Sequence, residues 1–407
     1  MTRTTKIRGL MLASASLLVI QPATALEAQA FLDRLVAVYK LGGYDISFGA
    51  ATLEGDTITV DGATIGLGDG SEPWTIETEL TFTGVSETED GGFTAESLTV
   101  PDIDTEFAQD PVGHLSLVDI AANDIILPPA EEVDMVALLE SVGSLTTGPL
   151  TLTRDGADFL SIEAIEAFNE FAYDDADELT DIASTFDVTG ISADLSAIVA
   201  EDPQAGPVIE ALGLSQISGN ISQTMTWSMG DGHMVVDQFL FDFADIGSID
   251  FTADVSGFTP ALVEKLNALD VPAENATREQ VQAQQMAAME LLQAITLTSA
   301  SLRYDDASLA GKLIDMFASQ SGAPRAQFVE GLKAMVPQLV AQVGVPELTQ
   351  MVVPAVNAFL DNPQSLEIAV RPATPTTLLV LSAAAANPAG LISAVGLDVT
   401  ANEPAAE

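Results

Sequence analysis

The chain has 407 residues, 47% hydrophobic and 18% charged, so it can bury the cores of two or three domains and is no disordered acidic protein. Lys and Arg number 13 against 60 Asp and Glu, a formal net charge of −47, and a surface that negative repels phosphate backbones, which excludes nucleic acid as a partner. There is no cysteine, which removes disulfides, thiolate metal sites and cysteine nucleophiles together.

Residues 1–25 read as a secretory signal. Arg3, Lys6 and Arg8 form the basic start, Leu10 to Ile20 the apolar middle, and Ala23-Thr24-Ala25 a small-x-small cleavage site before Leu26. An uncleaved anchor is the competing reading, but the apolar run is short for a span of about 20 residues. The expected address is the periplasm. The remaining chain carries 10 basic residues against 60 acidic ones. Net charge speaks to solubility before it speaks to sites, so a solvated acidic surface accounts for it; binding of a basic partner is the alternative.

Segment 26–130 opens with an amphipathic helix, Leu26 to Leu41, carrying Phe31, Leu35, Val38 and Tyr39 on one stripe. A β-rich stretch follows from Tyr44 to Leu127, with strands expected at Ile46–Phe48, Thr57–Val60, Trp74–Phe82, Phe93–Val100 and Leu115–Ile126. Segment 131–294 starts with a helix over Glu131 to Val142. It continues through a mixed, acidic stretch from Ala164 to Leu214, reaches a second β block from Ile217 to Phe258, and ends on helices at 260–269 and 278–294. Asp174, Asp175, Asp177, Glu178 and Asp181 crowd together without the ordered spacing of a calcium loop, so they read as a solvated face. Segment 295–407 reads as mostly helical, with a strand over Ile295–Tyr304, another over Leu366–Val370, and Pro337 and Pro354 breaking or kinking its helices. The uncharged tract Pro372–Leu397 reads as a buried strand and a short helix, not as a membrane span.

The two β blocks share a unit. Gly55-Asp56, Val60-Asp61, a turn at Gly70-Ser71 and a strand ending at Gly84 are matched by Gly230-Asp231, Val236-Asp237, a turn at Gly247-Ser248 and a strand ending at Gly257. Trp74, Ile76, Leu80 and Phe82 alternate with Glu and Thr; Ile249, Phe251, Ala253 and Val255 alternate with Asp, Thr and Ser. Successive strand residues point to opposite faces, so each strand has one apolar and one wet face. The unit is either an internal repeat building a long curved sheet or two ordinary hairpins with generic turn chemistry. The fold class is α+β: curved, meander-like antiparallel sheets packed on amphipathic helices.

The run Leu302-Arg303-Tyr304-Asp305-Asp306-Ala307-Ser308-Leu309, with Phe359-Leu360-Asp361-Asn362-Pro363 and Ser365-Leu366, resembles uncharacterised exported proteins of alphaproteobacteria over the C-terminal third. The β blocks are similar in texture to AsmA-like envelope proteins, and that resemblance implies repeated strands forming a lipid-holding groove. The chain departs from those proteins in the membrane anchor they usually carry, which puts a bridging role in doubt.

No motif for catalysis, phosphate or metal binding is present, so no catalytic residue, metal ligand or cofactor is assigned. His114 and His233 each stand beside a turn, without the surroundings of a general base. Arg303 beside Asp305 and Asp306 reads as a structural ion pair. Trp74, Trp227, Phe239, Phe241 and Phe243 are the best aromatic set; they line an apolar cargo groove or form plain sheet core. The leading expectation is a non-enzymatic exported envelope protein that cradles an apolar ligand such as a lipid chain. The alternatives are a structural or protein-interaction module with a solid core, and a hydrolase lacking a recognisable motif.

Overall fold

The computed structural model describes residues 27–67, 73–109, 111–196, 199, 204–267, 277–384 and 388–404. The leader read at 1–25 and the turn read at Gly70-Ser71 lie outside these residues.

Helix α1 (Ala28–Leu41) forms where Phe31, Leu32, Leu35 and Val38 share a stripe, and all four are buried. Its last carbonyls, those of Tyr39 and Lys40, accept the amide hydrogens of Gly42 and Gly43. Strands β1 (Tyr44–Phe48), β2 (Ala51–Glu54), β3 (Thr57–Leu67), β4 (Trp74–Thr83), β5 (Ser86–Glu87), β6 (Phe93–Val100), β7 (Ile103–Gln109), β8 (Val112–Leu117) and β9 (Ile120–Leu127) follow. Helix α2 (Met135–Glu140) is capped by Asp134, whose Oδ1 accepts the Ala137 amide at 3.0 Å. Next come β10 (Val142–Thr147), β11 (Leu150–Arg154), β12 (Ala157–Ile162), β13 (Ala164–Tyr173), β14 (Leu179–Asp194), α3 (Gly206–Leu212), β15 (Gln216–Ser228), β16 (His233–Phe243) and β17 (Gly247–Ser256). The C-terminal region holds α4 (Pro260–Asn267), α5 (Arg278–Ala294), β18 (Thr296–Asp306), α6 (Leu309–Ser321), α7 (Arg325–Ala341), α8 (Pro346–Asp361), β19 (Ser365–Val370), β20 (Thr376–Thr377), α9 (Leu378–Ala384), α10 (Pro388–Val395) and β21 (Leu397–Ala401).

The strands form one antiparallel sheet. Its spine runs β3–β4–β6–β9–β10–β13–β14–β15–β16–β17–β18–β19–β21, and β1 and β2 both pair with β3. Pairing passes without a gap from the first β block to the second. A branch, β7–β8–β11–β12, rejoins at β14. The branch exists because one line of breaks crosses the sheet at Pro101-Asp102, Val118-Asp119, Gly148-Pro149, Glu163 and Thr189-Gly190. Asp119 sits at φ 54° and Gly190 at φ 64°, and the Gly190 amide donates to Asn220 Oδ1 at 2.9 Å. A Cβ at Gly190 would lie 2.2 Å from Glu163 Cγ, so the break needs glycine there.

The apolar face of the sheet carries helices along both sets of strand ends. Helices α1, α2, α4, α5, α9 and α10 touch in succession along one side, and α3, α6, α7 and α8 along the other. The main core lies under α1, where the Phe31 ring meets Phe82 at 5.1 Å and Phe93 at 5.9 Å, both edge-on. A second, smaller core gathers Ile182, Trp227 and Met229 with Phe171, Phe258 and Val263.

Several sequence expectations are corrected. The acidic stretch from Ala164 holds the two long strands β13 and β14, because Glu166 and Asp187 face each other outward while Ala167 and Phe186 pair on the other face. The helix expected over Glu131–Val142 is confined to Met135–Glu140, and the strand expected over Leu115–Ile126 splits at Asp119. Pro337 and Pro354 lie inside continuous helices. The tract from Pro372 forms β20, α9 and α10 in place of a buried strand and one helix. The C-terminal region, expected to be mostly helical with two strands, contributes four strands to the sheet. Val60-Asp61 and Val236-Asp237, the shared dipeptides of the repeated unit, both stand at register shifts, one in each hairpin. Gly247-Ser248 opens β17; the turn before it holds Asp245 at φ 58°.

Candidate functional site: an apolar groove along the sheet

Directly opposed residues in an antiparallel pair point to the same face. That rule traces one unbroken row across thirteen strands. It begins Ile58, Phe82, Leu98, Ala122, Leu145 and Ala167. It continues through Phe186, Gln223 and Phe239 to Phe251, Leu302, Ile368 and Val399. Every member except Gln223 is apolar. Twelve strand steps of about 4.8 Å make the row roughly 55–60 Å long, about twice the hydrocarbon thickness of a bilayer.

Cover over the row changes along its length. Ile58 and Phe82 are fully buried beneath α1. From Leu98 to Ala167 the row lines a cavity of about 540 Å³, within the usual range of small-molecule sites. Leu35 and Tyr39 of α1 close one wall, and Leu117 and Ile120, on either side of a strand break, close another. The row is open in two places: at Leu145, 45% exposed in the mouth of the cavity, and beyond β16, where Phe251 is 38% exposed, Leu302 49% and Ile368 46%. Adjoining helices expose apolar side chains too, with Met335 and Leu339 one turn apart on α7. The exposed neighbours Phe251, Leu302 and Ile368 form the kind of apolar surface that marks a binding face.

The lining is nearly free of polar groups and holds no charged side chain. Its polar members among the described residues are Tyr39, Tyr44 and Asn169. Burial pushes the Tyr39 hydroxyl above its ordinary value, partly offset by its hydrogen bond with Ser141 Oγ at 3.4 Å. Asn169 Nδ2 donates to the Val142 carbonyl at 3.1 Å, and Ser184 Oγ donates to Asn169 Oδ1 at 2.7 Å.

The five aromatic residues named from the sequence divide. Trp74 lines the cavity and is 55% exposed. Trp227 stands in the second core at 7% exposure, its Nε1 donating to the Phe258 carbonyl at 2.8 Å. Phe239 lies in the row and meets the Phe241 ring at a tilt of 47°, ring centroids 4.8 Å apart. Phe241 and Phe243 occupy the next positions on the same face, where Phe243 fills the space beside Gly219. Sequence reasoning missed Leu98, Ile120, Leu145 and Ala167, whose strands looked unremarkable singly. It also missed Gln223, although β15 alternates Ile221, Gln223, Met225 and Trp227 against Ser and Thr, which marks one polar intruder on an apolar face.

Outside the groove, both histidines pair with a carboxylate across strands. His114 Nε2 lies 2.6 Å from Asp104 Oδ1, and His233 Nε2 lies 2.9 Å from Asp254 Oδ1. Ser228 is the register partner of His233, but its hydroxyl donates to Asp181 instead, so no nucleophile is bonded to the imidazole. Among the described residues no group of three or more His, Asp or Glu is placed to hold a metal ion. No described helix is long and apolar enough to cross a membrane.

A protein-family model described as "Uncharacterized protein" matches residues 240–402, under half of the chain. The matched stretch holds β17, β18, β19 and β21 and so the open end of the row. No curated protein matches the chain.

Proposed function

We propose that the chain is an exported, non-enzymatic envelope protein that holds an apolar ligand, such as a lipid chain, in the groove. The observation that carries this reading is the 540 Å³ apolar cavity in line with an open apolar trough on the same sheet face. A solid-core module has no use for an open cleft lined almost wholly by apolar side chains, because such a surface is costly to leave in water. The cavity mouth beside Leu145 and Trp74 and the exposed row from Phe251 to Ile368 each give a chain-like ligand a way in. The heavy negative charge keeps the protein dispersed while the row stays apolar.

The test is direct. Organic extraction of the purified protein followed by mass spectrometry recovers lipid, and the stripped protein takes up diphenylhexatriene with a rise in fluorescence. Ala167→Trp, which fills the cavity, and Leu145→Asp, which puts a charge into it, both reduce uptake. Failure to recover lipid together with failure to take up the probe overturns the reading.

A further inference from the structure

The thirteen-strand row carries one polar side chain, Gln223, about midway along it between Phe186 and Phe239. Gln223 is half-buried there, and once a ligand covers it an amide without strong partners costs about 1–3 kcal/mol, so an apolar residue would serve a plain hydrocarbon groove better. Gln223 sits on the less exposed face of β15 and its Nε2 reaches Met225 Sδ at 4.0 Å, a weak acceptor. Among the described residues no stronger partner engages this half-buried amide. One step along the strands on the same face lies the Asn169–Ser184 pair, in register with Met225. Asn169 donates one amide hydrogen to Val142 O and retains the other, and the Ser184 oxygen still accepts. The middle of the groove thus holds a small uncharged hydrogen-bonding patch flanked by hydrocarbon on both sides.

The cavity that ends beside this patch, at Ala167 and Asn169, has no Lys, Arg or His in its lining, and the protein as a whole is strongly negative. A free carboxylate there would lose its hydration without gaining a counter-charge. An ester or amide carbonyl asks only for one N–H donor, which Gln223 supplies.

Resting on the groove reading above, we propose that Gln223, with Asn169 and Ser184 beside it, is a specificity-determining position that hydrogen-bonds the uncharged ester or amide linkage of an acyl lipid. The groove takes acyl esters ahead of the free fatty acids of the same chain length.

The experiment uses the stripped full-length mature protein preloaded with diphenylhexatriene. The probe is displaced at pH 8 by the lauric acid monoglyceride or by laurate. The monoglyceride displaces it at a concentration roughly tenfold lower, the scale of one good hydrogen bond plus a desolvated charge. Gln223→Leu brings the two concentrations together while the circular dichroism spectrum stays the same. Thr224→Leu, on the opposite face, leaves the ratio unchanged. Equal displacement by ester and acid in the starting protein, or an unchanged ratio in Gln223→Leu, overturns the inference and leaves the groove reading standing. Absence of any probe uptake overturns both.

Discussion

The indole Nε1 of Trp227 donates to the Phe258 carbonyl oxygen at 2.8 Å, and the two rings lie 5.9 Å apart. This bond fixes the end of β15 against the segment leading into α4, in a core separate from the cavity. The chain has two tryptophans, and the other, Trp74, stands in the cavity wall. Ligand uptake should therefore change the emission of Trp74 and leave that of Trp227 alone. Trp74→Phe is expected to abolish the ligand-induced change in tryptophan fluorescence with little effect on stability. Trp227→Phe should keep the response but lower stability by about 1–3 kcal/mol, because it strands a buried carbonyl. Titration of both variants with a non-fluorescent lipid separates the two.

Phe82 is fully buried between Phe31 and Phe48, with ring centroids 5.1 and 6.5 Å away. Phe82→Ala is expected to cost about 3–5 kcal/mol, the usual range for a fully enclosed aromatic ring. Because α1 rests on this ring, protease should cut within α1 at lower concentrations in the variant than in the parent.

Arg303 meets Asp305 through both Nε and Nη2 at 2.7 Å and reaches Glu367 at 3.3 Å. Glu367 is buried, and its remaining cation is Arg371 at 3.4 Å. Arg303→Met leaves that carboxylate short of compensation and should cost about 3–5 kcal/mol. Adding Glu367→Gln to Arg303→Met should recover a large part of the loss, and urea titrations of the single and double variants measure the coupling.

Asp250 Oδ1 is enclosed without a hydrogen-bond partner. Burial raises its pKa above the ordinary value, nearby Asp305 adds to the rise, and Arg303 opposes it. A raised carboxylate binds its proton more tightly in the folded state. Its contribution to stability is thus complete at acid pH, falls as pH rises through the ordinary aspartate range, and becomes a constant cost above the raised value. Asp250→Asn should raise the melting temperature at pH 7, and the gain should shrink to nothing as pH is lowered below the ordinary aspartate range. A gain of equal size at pH 3 and pH 7 would contradict this account.

Gly190 combines φ 64° with a Cβ position 2.2 Å from Glu163 Cγ. Gly190→Ala should cost about 1–2 kcal/mol for the left-handed backbone, plus whatever displacement of Glu163 requires. The urea midpoint falls while the denaturant slope is kept, since the exposed surface on unfolding is the same.

Local alternation made the two hairpins at 57–83 and 233–256 legible, because Trp74 to Phe82 and Ile249 to Val255 put apolar and polar residues on strict parities. The groove was not legible, since its row joins one residue from each of thirteen strands and no window of sequence contains it. Strands β13 and β14 hid behind Glu166, Glu170, Asp181 and Asp187, whose outward charge looks like a loop until the facing residues are paired. The β8–β9 break depends on Asp119 adopting a left-handed conformation, which a non-glycine residue rarely announces. Aromatic content pointed to Trp227 as readily as to Trp74; which of them meets the cavity is decided by strand partners far away in the chain.

From β13 to β18 each strand pairs with the next one in the chain, β13–β14, β15–β16 and β16–β17 as hairpins and the other two pairs across intervening helices. Excising β15 and β16 would set β14 antiparallel to β17 and join Phe186 directly to Phe251. Groove length is therefore a modular property of the polypeptide, adjustable in increments of one hairpin, about 10 Å. Gene duplication or deletion of a single hairpin could retune the ruler without disturbing either end of it.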